Sequence, residues 1–168
     1  MRINLSYDAS VTWSNFNSNP NVGLLEEAAF KQAVQYAATI FDKLFTNNVT
    51  VTIDVGWGEI QGAPIAANGP SAVSRRVYET YSYQQVSQAL INNAQSAIQK
   101  SADATLPNVN TSPFGTMQLS SANAKALGLP INNPPSVDGW IGFNKAKPWT
   151  FDLYDARRRT IFGVGRRA

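Results

Sequence analysis

Apolar and polar residues alternate from the start of the chain, where Ile3, Leu5 and Tyr7 interleave with Asn4, Ser6 and Asp8. This two-residue period predicts a half-buried strand. Residues 14–21 are rich in Asn and Ser and read as a loop. Phe30, Ala33, Val34, Ala37, Ile40, Phe41, Leu44 and Phe45 then recur at the three-to-four spacing of one helix face, ended by Asn47 and Asn48. Val49, Val51, Ile53 and Val55 alternate with Thr50, Thr52 and Asp54 as a second strand.

Residues 56–70 carry four glycines and two prolines and predict a long turn-rich connection, with a strand over 72–81 after it. Ser82 and Gln85 form a capping box for a second helix, whose apolar face continues through Ala94, Ala97 and Ile98 to about Lys100. Residues 101–119 read as loop. Ser120 or Ser121 caps a short Ala-rich helix that Gly128 and Pro130 end. Residues 137–143 and 149–153 predict two closing strands. The elements add up to an α+β or α/β fold, a single domain of three layers. In it a mixed twisted sheet packs with one long and one medium helix, over residues 1–156.

Composition narrows the chemistry. The 168 residues contain no His and no Cys, which removes the commonest zinc ligands, disulfides, and the Ser–His and Cys–His nucleophile systems. Fourteen cations oppose eleven anions, but residues 157–168 hold five of those cations, all arginines, and no acid; nine against eleven leaves −2 for residues 1–156. The body therefore does not read as nucleic-acid-binding, and 157–168 reads as a disordered or out-of-frame basic tail. No stretch reaches the roughly 18–20 apolar residues of a membrane span, and residues 1–10 lack the apolar core of a signal peptide.

Candidate chemistry is sparse. Gly56-Trp57-Gly58-Glu59-Ile60-Gln61-Gly62 follows a strand as a dinucleotide loop does, yet its third glycine falls one place late and Pro64 discourages a following helix. A turn beside the sheet edge, with Trp57 covering apolar surface, explains it better. Asp54 and Glu59 are candidates for a glycosidase carboxylate pair, and Asp138, Asp152 and Asp155 for calcium ligation without EF-hand spacing. Ser120 and Lys125 resemble a Ser–Lys dyad only by residue type. Glu26 and Glu27 read as acids opposing the dipole at a helix start. Trp57, Trp140 and Trp149, with Tyr78, Tyr81 and Tyr83, suit either the core or an exposed recognition surface.

The order of INLSYDASV, AAFKQAVQYAATIFDKLFTNNVTVTIDVGWGEI, YSYQQVSQAL, NAKALGL and SVDGWIGFNKAKPWTFD resembles the pre-catalytic part of a family of secreted bacterial zinc metalloproteases, across nearly all of residues 3–155. The resemblance implies a zincin-like scaffold, an extracellular or periplasmic location, a polypeptide substrate, and zinc only when a downstream His-Glu helix is present. It implies no catalytic and no metal residue in this chain, which reaches Ile161-Phe162-Gly163-Val164 and then ends in Gly-Arg-Arg-Ala, as truncation or a frame change would leave it. It also implies that Gly56, Trp57, Gly58 and Glu59 line the substrate cleft. The alternative reading is an extracellular glycan- or protein-binding module that uses the same Gly-rich edge and the tryptophans.

Overall fold

A computed structural model of the chain describes residues 1–109, 115–132 and 134–152, which form a mixed α+β structure. They gather into two compact units, residues 1–75 with 139 onward and residues 76–138. In the first unit, β1 (Arg2–Tyr7), β2 (Thr50–Trp57), β8 (Gly139–Phe143) and β5 (Ala72–Arg76) make a four-stranded mixed sheet in the order β1-β2-β8-β5. β1 pairs in parallel with β2, Leu5 opposite Ile53 and Tyr7 opposite Val55. β2 pairs in parallel with β8, Val55 opposite Ile141 and Trp57 opposite Phe143. Parallel neighbours need a long crossover, and α2 (Pro20–Leu44) supplies it between β1 and β2.

The sheet is two-faced because the sequence alternates. Odd positions of β1 and β2 turn Leu5, Tyr7, Ile53, Val55 and Trp57 toward the apolar cluster, and even positions put Ser6, Thr52 and Asp54 on the opposite face. α2 lays Phe30, Ala33, Val34 and Ala38 inward at helical spacing. Phe30 has no exposed surface; its ring lies 5.1 Å from that of Trp57 and 5.3 Å from that of Phe143. Short α1 (Trp13–Phe16) brings Phe16 to stack on Trp57, ring centroids 4.6 Å apart. Trp149 and Phe151 close the same cluster, Trp149 by a ring contact to Phe143 at 5.4 Å and Phe151 to Phe30 at 5.5 Å.

α2 begins ten residues before the first residue of its predicted apolar face. Asn19 accepts the Asn21 N–H as N-cap and Pro20 occupies the first turn, a start signal hidden inside an Asn/Ser-rich stretch. Glu26 and Glu27 therefore lie beyond the first turn, where the dipole reading does not apply, and Glu27 instead pairs with Lys31 one turn on at 2.6 Å. Two short strands, β3 (Glu59–Ile60) and β4 (Ala63–Pro64), form a hairpin within the Gly-rich connection.

The second unit pairs β6 (Tyr78–Ser82) antiparallel with β7 (Thr116–Ser120). It packs α3 (Tyr83–Asn93) and α5 (Ser121–Ala126) around Tyr81, Val86 and Ala124. The medium helix of the sequence reading is α3, and it packs on this separate ladder. The predicted strand over 72–81 is two strands, β5 and β6, in different sheets. The predicted helix to Lys100 is also two: Ser96 accepts the Gln99 N–H and Gln99 accepts the Ser96 N–H, a second capping box that starts α4 (Ala97–Asp103) afresh and leaves Ile98 82% exposed. Strand β7 ends the stretch expected to be loop. Trp149–Asp152 forms no strand among the described residues; Leu153 and the basic tail lie outside them.

Asp138 ties the second unit together. Its side chain is 1% exposed, and Ser121 Oγ donates to Oδ1 at 2.8 Å while Lys125 Nζ donates to Oδ2 at 2.6 Å. Its backbone oxygen accepts the Val77 N–H, and Val77 O accepts the Ser121 N–H. Replacing Asp138 with Ala removes the acceptor of both Ser121 and Lys125, and the expected loss is about 3–5 kcal/mol of unfolding free energy in urea titration. Phe30→Ala, which empties the centre of the first unit, should cost about 3–5 kcal/mol by the same measurement. An effect under about 1 kcal/mol would contradict either assignment.

Candidate functional site

Strands β1, β2 and β8 point the same way, so their carboxyl ends gather Asp8, the segment 56–59, Asn144 and Lys145 at one end of the sheet. In open α/β sheets that end is where ligand sites form. Gly56–Glu59 extends from an interior strand, and the margins of the sheet are β1 and β5. Trp57 is 6% exposed and belongs to the core; its indole N–H donates to Asn15 O at 3.2 Å and its backbone N–H to Ser10 Oγ at 2.8 Å. Gly58 turns the chain at φ +81°, and its N–H donates to Phe143 O at 2.6 Å.

That turn folds Glu59 and Ile60 back across the polar face of the sheet, which is open to them only because Gly56 and Gly142 have no side chains. A Cβ on Gly142 would lie 2.2 Å from Glu59 O, and one on Gly56 would lie 2.6 Å from the same oxygen and 2.8 Å from Asp8 Oδ2. The close approach brings the Glu59 carboxyl onto that of Asp8. Their mutual hydrogen bond, followed by burial and the negative charges of Asp8 and Asp54, holds Glu59 above the ordinary carboxylate range, opposed by the Gly62 N–H. Asp8 Oδ1 also accepts the Ser10 N–H at 2.8 Å and the Ser10 hydroxyl, and Glu59 Oε1 accepts the Gly62 N–H at 3.2 Å.

This arrangement favours the protonated form of Glu59 and ties the end of β1 to the turn after β2. The sequence-predicted pair is Asp54 with Glu59, but it is Asp8 that hydrogen-bonds Glu59, while Asp54 adds only its negative charge. Carboxyl groups in hydrogen-bond contact, as Asp8 and Glu59 are, leave no room for the sugar and water that a glycosidase pair, about 5–9.5 Å apart, must flank. Zinc does not fit either: the chain offers no imidazole or thiolate, and the oxygens of the pair are engaged with each other, Ser10 and Gly62. Among the described residues no group of three or more His, Cys, Asp or Glu is placed to hold a metal ion.

The other candidates separate. Asp138 is occupied by Ser121 and Lys125, Asp152 is exposed, and Asp155 lies outside the described residues. Ser120 serves as N-cap, accepting the Asn123 N–H at 3.2 Å; Ser121, not Ser120, shares a partner with Lys125. Asp8, Ser10 and Asn144 escaped the sequence reading. Asn144 is 1% exposed and joins two loops, donating to Ala66 O at 2.9 Å and Pro70 O at 3.1 Å while its backbone oxygen accepts the Trp149 indole N–H at 2.8 Å. The available signal was position: a polar residue directly after a parallel strand.

The opposite face of the sheet carries a second feature. Leu5, Ile53, Ile141 and Phe143 floor an apolar groove of about 330 Å³, walled by Ala37 and Phe41 of α2 and reaching Ala72 and Trp149. α2 thus covers only part of the apolar face. Exposed Phe41, Leu44 and Phe45 continue the apolar surface along the end of the helix.

The carboxyl pair makes stability depend on pH with a definite sign. A carboxyl raised in the folded state stabilises fully below its ordinary pKa and loses that contribution as pH rises through the raised value. Glu59→Gln keeps a donor for Asp8 without the second charge. Its melting temperature relative to wild type should therefore rise as pH rises through and above the ordinary carboxylate pKa of about 4.3; a difference that stays flat over that rise contradicts the raised Glu59 pKa. Comparison with known protein families, with curated proteins and with solved structures finds no match to the chain.

Proposed function

We propose that the chain is the non-catalytic scaffold of a secreted zinc metalloprotease-like protein, acting on polypeptides only when a zinc-binding helix is supplied by sequence outside these residues. The observation that carries this reading is the apolar groove beside α2, about 330 Å³ of sheet face that the described residues leave uncovered next to margin strand β5. A scaffold awaiting one more helix presents such a groove, and a margin strand is what an extended peptide adds to. The chain itself holds none of the nitrogen ligands of a zincin, so the hydrolytic step belongs to the missing element.

The binding-module alternative calls for tryptophans displayed together on the surface, and it gains no support from Trp57 and Trp149, whose rings meet 6.5 Å apart within the core cluster. The test is to sequence genomic DNA across the codons for Arg157–Ala168 and about 60 codons beyond, reading all three frames, and to express the chain joined to any His-Glu helix found. The restored protein should cleave casein in a zinc-dependent manner, while the 168-residue chain neither cleaves it nor retains zinc after dialysis. Absence of such a helix from every frame, or an inert restored protein, overturns the reading.

A further inference from the structure

The second unit contains a groove of about 410 Å³ along α3, and every polar side chain that lines it is an amide, with no charged residue. Gln84, Gln88 and Asn92 recur every four residues along one exposed stripe, and Ala89, Leu129 and Pro130 add an apolar floor. Two further amides of the groove are spent internally: Gln85 closes the capping box, and Asn93 Nδ2 donates to Ala89 O at 2.8 Å and Leu127 O at 3.1 Å. Gln88 Nε2 donates to Asn92 Oδ1 at 2.9 Å, which aligns those two amides and leaves the Gln88 oxygen and the Asn92 N–H₂ to face a ligand. The Gln84 amide makes no hydrogen bond within the described chain.

A primary amide places one acceptor beside donors in one plane, the complement of the N–H and C=O of a peptide main chain. Amides four residues apart on a helix are spaced by a rise of about 6 Å. Successive like-facing residues of an extended chain are about 6.4–6.8 Å apart. Three amides therefore stay nearly in step with alternate residues of an extended peptide, and the stripe's drift of about 40° per step sets an oblique crossing. The lack of charge in the lining disfavours acidic or basic ligands, and the floor accepts the apolar side chains that point toward it.

We propose that this groove binds an extended, uncharged polypeptide segment whose main-chain amides pair with Gln84, Gln88 and Asn92. It uses the second unit alone and stands or falls independently of the protease-scaffold reading.

The experiment titrates the full chain with a terminally blocked nine-residue peptide of alternating Ser and Val, following side-chain amide resonances by NMR. The resonances of Gln84, Gln88 and Asn92 should move together and saturate. An analogue with ester links in place of alternate amides, which removes main-chain donors, should bind at least about tenfold more weakly, as should the triple variant Gln84→Ala, Gln88→Ala, Asn92→Ala. Alanine favours the helix, so the triple variant should melt no lower than wild type. If it does melt lower, Gln84→Ala alone, which breaks no internal hydrogen bond, carries the comparison. No saturation by about 2 mM peptide, equal affinity for the ester analogue or the variants, or shifts caused instead by a neutral glucan oligosaccharide would overturn the proposal.

Discussion

Enclosure of the Phe30 ring among Phe16, Trp57, Phe143 and Phe151 is the contact on which the first unit depends. It joins α1, α2, two adjacent parallel strands and the segment after β8 at a single point, so the distance from helix to sheet is set there. Burying a side chain of that size contributes about 1.5–3 kcal/mol by transfer alone, before ring-to-ring geometry adds to it. Because the cluster holds α2 against the Trp57 and Phe143 end of the sheet, the apolar face over Leu5, Ile53 and Ile141 is left as a groove among the described residues. The open surface is thus a consequence of where the core was built.

The polar face follows a different rule. There the constraint is contact between backbones: Gly56 and Gly142 let the Glu59–Ile60 segment lie on the sheet, and the carboxyl pair forms because no side chain keeps Asp8 and Glu59 apart. The carboxyl end of the parallel strands is in this way filled by the protein's own turn, with Asn144 fastening the loops beside it. Such an end is a tie between elements first, and the raised pKa of Glu59 makes that tie pH-dependent.

How much of this was legible varied with the range of the interaction. Strand β1, the body of α2 and the Ser82 cap follow from local periodicity and capping, and all three are present. The start of α2 at Pro20 and the break before Ser96 were written as Asn-Pro and Ser-x-x-Gln, local signals overshadowed by a polar stretch and by an apolar spacing that ran on through Ile98. The division of 72–81 into two sheets was not legible, since period-two alternation says nothing about which partner a strand finds. Nor was the Asp8–Glu59 contact, which joins residues 51 positions apart through the missing side chains of two glycines. Trp57 was readable as apolar cover, and only the parallel register of β2 with β8 shows that it faces Phe30.

The claim that most of the account rests on is that the apolar face beside α2 is open in the folded chain. Titration of the native protein with 1-anilinonaphthalene-8-sulfonate at neutral pH measures this directly, with Ala37→Trp placed in the groove wall to fill it. The account predicts saturable dye fluorescence below the unfolding transition and its loss in a folded Ala37→Trp protein. A native chain that binds no dye, or a folded variant that binds as much as wild type, would contradict it.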